Sequence, residues 1–137
     1  MIHGIGTDLL DAERIRNGLA RFGKPYVDRI LAPAEHAGYN ASRNPARFLA
    51  KCFAVKEAFA KAAGTGLRPP VTLGNIAVLR DEQGKPFLQC APELDAWLAV
   101  RGVTAHHVSL SDEGDLVLAF VVLERSSPPT IKPEAPS

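Results

Sequence analysis

Neither sign of charge dominates this chain: 16 Lys and Arg stand against 15 Asp and Glu, a formal net charge of +1. With no global field, the sequence advertises neither a nucleic-acid surface nor a membrane surface, and any basic site must be local. Cysteine is scarce. Cys52 and Cys90 lack the CxxC or Cys/His spacing of a zinc site, and two cysteines make no disulfide scaffold, which fits a reducing cytosol. Long apolar runs are missing as well. The continuous stretch Leu116 to Leu123 falls far short of the ~20 residues of a membrane span. The opening residues, MIHGIGTDLL, lack the basic flank and apolar core of a signal peptide. No internal repeat is present. The expectation is a soluble, cytoplasmic protein that binds neither nucleic acid nor membrane.

What is present suffices for one core. The chain has 137 residues, 46% of them hydrophobic, enough for a single folded domain. Ile2 to Leu10, short, apolar and Gly-rich, reads as a strand ending at Thr7-Asp8. Asp11 is placed to N-cap a helix with Ile15, Leu19 and Phe22 at helical spacing and Gly23 beyond its end. Tyr26 to Tyr39 reads as an irregular helical region interrupted by Pro33. Asn44-Pro45 starts a long helix that Gly64 stops. From Val71 the period becomes strand-like, with Ile76 to Arg80 and Phe87 to Cys90 flanking the turn DEQGKP. Pro92 to Arg101 reads as a short helix ended by Gly102. HHVSLSD and LVLAFVVLE form a second hairpin, and the apolar run in its second arm predicts a central, buried strand. The last segment, SSPPTIKPEAPS, holds four of the eleven prolines and one large apolar residue. The expected organisation is a domain over 1–125 and a Pro-rich disordered tail over 126–137.

The chemistry concentrates in FAVKEAFAKAAGTG, Phe53 to Gly66. On a helical wheel Phe48, Cys52, Val55, Phe59 and Ala63 make one apolar arc, and Lys56 falls inside it. A buried, unpaired ammonium costs several kcal/mol or more, so Lys56 needs an anionic partner, a subunit interface or a bound ligand. Glu57 and Lys61 lie on another face, one turn apart. They read either as a solvated ion pair or as part of a site. Asp8 bears on that choice: if the long helix crosses the first strand near it, Asp8 and Glu57 present oxygens to one hard cation such as Mg²⁺, which takes one or two carboxylates and completes its shell with phosphates and water. Alternatively, Asp8 caps the turn into the next helix. The Gly64-Thr65-Gly66 loop follows a helix, where the macrodipole disfavours phosphate, and reads as a C-cap and turn. Alternation places His107, Ser109 and Ser111 on one strand face, a solvated face or a binding one, with His106 expected to be the more exposed histidine. Arg14 and Arg21 share a helical stripe, with Lys24 and Arg29 nearby, suited to solubility or to docking an acidic helix.

Taken together, GIGTDLLDAERI, RFLAKCFAVKEAFAKAAGTG, the GKP turn at Gly84 and HVSLSD resemble the bacterial holo-acyl-carrier-protein synthases, the small class of 4′-phosphopantetheinyl transferases. The resemblance spans residues 1 to 124, and the paired GxD and KEA-x-x-K motifs carry its specificity. It implies transfer of the phosphopantetheine arm of coenzyme A to a serine of apo acyl carrier protein, with release of adenosine 3′,5′-bisphosphate. By resemblance Asp8 and Glu57 hold Mg²⁺ against the coenzyme A pyrophosphate, Lys61 lies beside the same phosphates, and Lys56 belongs to the same motif. The coenzyme-binding set it suggests comprises Arg47, Lys51, Lys56, Lys61, Gly64, Gly66, Gly84, Lys85, Pro86 and His107, with Arg14 and Arg21 for the carrier protein. The implied assembly is a homotrimer with active sites between neighbours. One departure stands out: where the family most often carries Arg, this chain has Cys52; if that Arg serves the nucleotide phosphates, either affinity for coenzyme A is lower here or Arg47 and Lys51 share the role.

The sequence therefore predicts an α+β fold, a small antiparallel sheet packed with a long central helix. The predicted activity is Mg²⁺-dependent transfer with Asp8, Glu57 and Lys61 at the reaction centre. Two rival readings remain: a non-enzymatic carrier-protein-binding module with a degraded coenzyme site, and a generic Mg²⁺-dependent nucleotide hydrolase.

Overall fold

In the computed structural model, which describes residues 1–126, one long helix lies across a three-stranded antiparallel sheet. The first strand, β1 (Ile2–Asp11), leads directly into α1 (Ala12–Phe22), whose N-cap is Asp11; its side chain accepts from the Glu13 N–H. Gly23, with φ 63°, ends α1 and opens α2 (Lys24–Ile30). A 3₁₀ turn over Pro33–Glu35 and the short α3 (His36–Ala41) follow, the irregular region that Pro33 forecasts. Helix α4 (Pro45–Ala63) begins where Asn44 accepts from the Arg47 N–H and stops at Gly64 in the left-handed region, φ 80°. The hairpin β2 (Ile76–Arg80) and β3 (Pro86–Cys90) forms a separate two-stranded sheet. After α5 (Pro92–Val100), β4 (Val103–Glu113) and β5 (Leu116–Arg125) complete the larger sheet in the order β1-β5-β4. The α+β architecture expected from the sequence is the one observed. The proposed Pro-rich tail lies outside the described residues except for Ser126.

Two expectations are corrected. The first strand does not end at Thr7-Asp8, because β5 continues to pair with it as far as Asp11 opposite Leu116. Asp8 thus sits inside the ladder, opposite Ala119, and its backbone is held on both sides of the side chain. Strand β5 is central, but only one of its faces is covered. Val117, Ala119, Val121 and Leu123 are fully buried against α4, whereas Leu118 and Phe120 are 42% and 39% exposed. An apolar run alternates between faces like any strand, so its composition alone could not show that one side lacks a covering layer.

At Gly4 and Gly6 the contact between α4 and β1 is made without side chains on the strand. A Cβ at Gly4 would lie 1.9 Å from the Ala62 carbonyl oxygen, and one at Gly6 1.9 Å from that of Ala58. The helix side of this contact is the stripe Ala54, Ala58 and Ala62, all buried. Small residues on both surfaces let helix and strand backbones touch, while Leu49, Val55 and Phe59, each with no exposed surface, supply the apolar burial around that contact. We predict that Gly6→Ala destabilises the fold by about 2–3 kcal/mol, since backbone cannot yield as a side-chain tip would. A denaturant midpoint equal to wild type would show that the helix can lift off without cost.

Candidate active site

The close approach of Gly6 to Ala58 brings the next inward residue of β1, Asp8, beside the turn of α4 that carries Glu57 and Lys61. The Lys61 Nζ reaches across, donating to the Thr7 carbonyl at 2.8 Å and to Asp8 Oδ1 at 3.4 Å. Of the two readings, the Glu57–Lys61 surface pair does not form: Lys61 pairs with the strand. Asp8 is the more sheltered partner, its side chain 18% exposed against 56% for Lys61. Glu57 is half-buried, and among the described residues it makes no hydrogen bond or ion pair. No third His, Cys, Asp or Glu joins these carboxylates to make a protein-only metal cluster among the described residues. The alternative role for Asp8 as a helix cap is also answered, since Asp11 occupies that position.

The same face of α4 extends toward α1. Phe53, Glu57 and Lys61 recur every four residues, and the Arg14 guanidinium lies over the Phe53 ring at 5.8 Å. Arg14 therefore stands one helical turn from Glu57 at the rim of the site. Arg21, farther along α1, lies over Phe22, itself 55% exposed. Both arginines are exposed. Of the stripe read from the sequence, Arg14 is the member next to the Glu57 face of α4.

A second group gathers at the N-terminal half of α4. Arg47 donates to Asp112 and to the Gly114 carbonyl, and Lys51 Nζ lies 3.8 Å from Asp112 Oδ1. Arg47 and Lys51 line a concavity together with Ser42, Asn44, Phe48 and Arg80. The sequence reading missed Asp112 as their partner; its place on the inward face of β4, two residues beyond Leu110, is the signal that could have found it. A neighbouring cavity of about 210 Å³ is lined by Phe48, Lys51, Cys52, Arg80, Leu110 and Glu35, among others. Cys52 does pack, at 3% exposure, and burial followed by the Glu35 carboxylate pushes its thiol pKa well above the usual value.

Lys56 is corrected most. It is expected among coenzyme-binding residues, yet its side chain has no exposed surface, and its Nζ donates to the Ile30 carbonyl at 2.6 Å and to Glu35. The anionic partner it needs is internal. Glu35 went unnoticed in the sequence, although Pro33 followed two residues later by an acid is a helix-start pattern in which the carboxylate reaches back to a free backbone N–H. Here Glu35 accepts from the Ala32 N–H at 2.7 Å.

The remaining predicted residues lie elsewhere. Gly64 caps α4, and Gly66 has φ 65° in the loop beyond. Gly84 (φ 82°) and Lys85 belong to the β2–β3 turn, where Asp81 accepts from the Lys85 N–H, and Pro86 opens β3. His107 and Ser109 face away from α4: their strand partners are Val122 and Phe120, on the outer side, whereas Asp8 pairs with inward-facing Ala119. Within this chain, then, His107 and Asp8 are on opposite faces of the sheet. The two histidines are reversed from expectation. His106 is half-buried, and that burial lowers its pKa, while His107 is exposed and within 2.8 Å of Glu124. The bulge in β4 between Val103 and Ala105 sets which histidine faces inward.

Comparison with known proteins places this geometry among relatives. Residues 4–121 match the 4′-phosphopantetheinyl transferase superfamily. The chain is 77% identical over 127 residues to the holo-[acyl-carrier-protein] synthase of Thiobacillus denitrificans, covering 93% of this chain and 97% of that protein. The crystal structure of the synthase from Neisseria meningitidis superposes with a TM-score of 0.89 at 46% identity, covering 91% of this chain and all of that one. The Bacillus anthracis synthase, solved in complex with CoA (3′,5′-ADP), gives a TM-score of 0.75 at 34% identity over 92% and 99% of the two chains.

Proposed function

Since this chain belongs to the 4′-phosphopantetheinyl transferase superfamily, we propose that it is a holo-acyl-carrier-protein synthase of the cytoplasm. In this reading it transfers phosphopantetheine from coenzyme A to a serine of apo acyl carrier protein and releases adenosine 3′,5′-bisphosphate. One observation carries the proposal: the strand carboxylate of Asp8 meets Lys61 of α4, on the helical face that also bears Glu57. The donor set suits Mg²⁺. Two carboxylates without a third protein acid among the described residues leave coordination positions for phosphate oxygens and water, as that ion prefers. Bound there by Asp8 and Glu57, Mg²⁺ would neutralise charge on the pyrophosphate.

The protein's own residues do the rest. Lys61 turns from Thr7 and Asp8 to the pyrophosphate and stabilises the charge left on the departing bisphosphate as its bond to the pantetheine phosphate breaks. Glu57, directly or through a water, takes the proton of the attacking serine hydroxyl. Arg47 and Lys51 supply cationic donors for the nucleotide phosphates in place of the arginine that Cys52 replaces.

The proposed assembly is a homotrimer. Its support is the uncovered sheet face, where Ile5 and Leu9 are 59% and 65% exposed beside Leu118 and Phe120, an apolar surface that a second copy would cover. His107 on that face would then meet coenzyme A held by a neighbour.

The test mixes the protein with apo acyl carrier protein, coenzyme A and Mg²⁺ and weighs the carrier by mass spectrometry. The expected result is a gain of one phosphopantetheine. Retained binding without a gain would mark a non-enzymatic module, and nucleotide cleavage without a gain would mark a hydrolase. The paired variant Arg14→Glu with Arg21→Glu, run in the same assay, should raise KM for the carrier protein far more than for coenzyme A, because a rim patch acts mainly on encounter with the charged partner. An unchanged carrier KM would make the stripe a solvated face only.

A further inference from the structure

Resting on that reading, we propose that Lys56 and Glu35 form a positioning clamp that fixes the rotation of α4 about its axis and so aims Glu57 and Lys61 at Asp8. The close approach on the other side of the helix fixes its distance from the sheet more than its rotation. Gly4 and Gly6 meet Ala58 and Ala62 backbone to backbone, so over this stretch β1 offers no side-chain knob to resist rolling, and the side chains beside it, Leu10 of β1 and Val117, Val121 and Leu123 of β5, are apolar and lack directional bonds. At 100° per residue Lys56 projects about 160° from the centre of the Ala54, Ala58 and Ala62 stripe, on the opposite side of the helix.

There it is held by two segments directly and tied to a third through Glu35. Lys56 donates to the Ile30 carbonyl at the end of α2 and to Glu35, and Glu35 Oε2 accepts from the Val78 N–H of β2 at 2.9 Å. Glu35 Oε1 also takes the Ala32 N–H. Both side chains are essentially sealed, at 0% and 1% exposure, and the described residues leave no buried side-chain polar atom unsatisfied. A buried pair of this kind adds little net stability relative to apolar residues, but it tolerates only one geometry. That geometry is transmitted directly, because Lys56 is the residue immediately before Glu57 in the same rigid helix. A roll of the helix that broke the clamp would turn Glu57 away from the strand.

The test uses the double variant Glu35→Gln with Lys56→Met, which removes both charges together and avoids stranding one. The side-chain amide that replaces the carboxylate can still accept from one of the two backbone N–H groups. Coenzyme A binding is followed by calorimetry across a Mg²⁺ titration, without turnover. The folded double variant should need about tenfold more Mg²⁺ for half-maximal binding, the size typical of losing a group that orients a metal ligand. Because the clamp acts through Glu57, the same change made in a Glu57→Ala background should add no further shift; a general loss of structure would add one in both backgrounds. A Mg²⁺ requirement equal to wild type overturns the clamp. The crystal structure of the double variant decides independently of ligand binding: α4 rotated, with Lys61 off the Thr7 carbonyl, is expected, and an α4 superposing on the parent overturns the inference even if the wild type proved to bind no coenzyme A.

Discussion

Asp8→Ala and Glu57→Ala should each leave a folded protein that has lost most of the proposed transferase activity, by roughly a hundredfold or more at limiting Mg²⁺. One carboxylate alone competes poorly with water for this ion, whose hydration is held tightly. The fold has little reason to suffer. Asp8 caps no helix, and its ladder bonds to β5 are made by backbone; among the described residues the one ion pair of its side chain is the 3.4 Å approach of a largely exposed lysine, an interaction of at most about 1 kcal/mol. Glu57 gives up no hydrogen bond or ion pair among the described residues. Melting temperature and turnover, measured on the same preparations, separate the two effects. Near-normal turnover in either variant at limiting Mg²⁺ would sink the assignment of this pair.

Lys61→Met should show the same separation for a cation. Methionine keeps the stem and the helix propensity while deleting the charge. The hydrogen bond to Thr7 and the contact to Asp8 are lost at a half-exposed position, so the melting temperature should change little. If Lys61 stabilises charge that develops on the leaving bisphosphate, kcat falls by about a hundredfold, the effect of removing one electrostatic stabiliser from a sheltered site. Coenzyme A affinity should weaken less than kcat, because the interaction is strongest in the transition state. A kcat within a few-fold of wild type would return Lys61 to the role of a helix-surface residue tying α4 to β1. The structure sharpens this test, since the simple alternative of a Glu57–Lys61 pair is already absent.

Asp11, Asn44 and Gly64 could be read as helix ends because capping is local: a side chain or a positive φ acts within a few residues of the backbone it serves. The hairpins were legible for the same reason, and the GxD and KEA-x-x-K motifs pointed to one chemistry because both lie in short contiguous stretches. Lys56 was legible as a problem, a charge on an apolar arc, but not as a solution. Its partner is 21 residues away, and only the packing of the Pro33–Glu35 turn between α4 and β2 brings the carboxylate to it. Spacing could likewise place His107 and Ser109 on one face without saying which face looks outward; that depended on how β4 registers against β5.

By itself, the sequence determined the elements, the helix ends and the residue types of the proposed reaction centre, since propensity, capping and periodicity are properties of neighbours along the chain. Only the tertiary structure decided which groups meet. It joined Lys61 to Asp8 instead of Glu57, committed Lys56 to Glu35 and Arg47 to Asp112, and left one apolar face of the sheet uncovered. The physical reason is that a buried charge takes whichever opposite charge or carbonyl the packed backbones bring within hydrogen-bond reach, and the distance of closest approach here is set by glycines on β1 and alanines on α4 that carry no chemistry of their own.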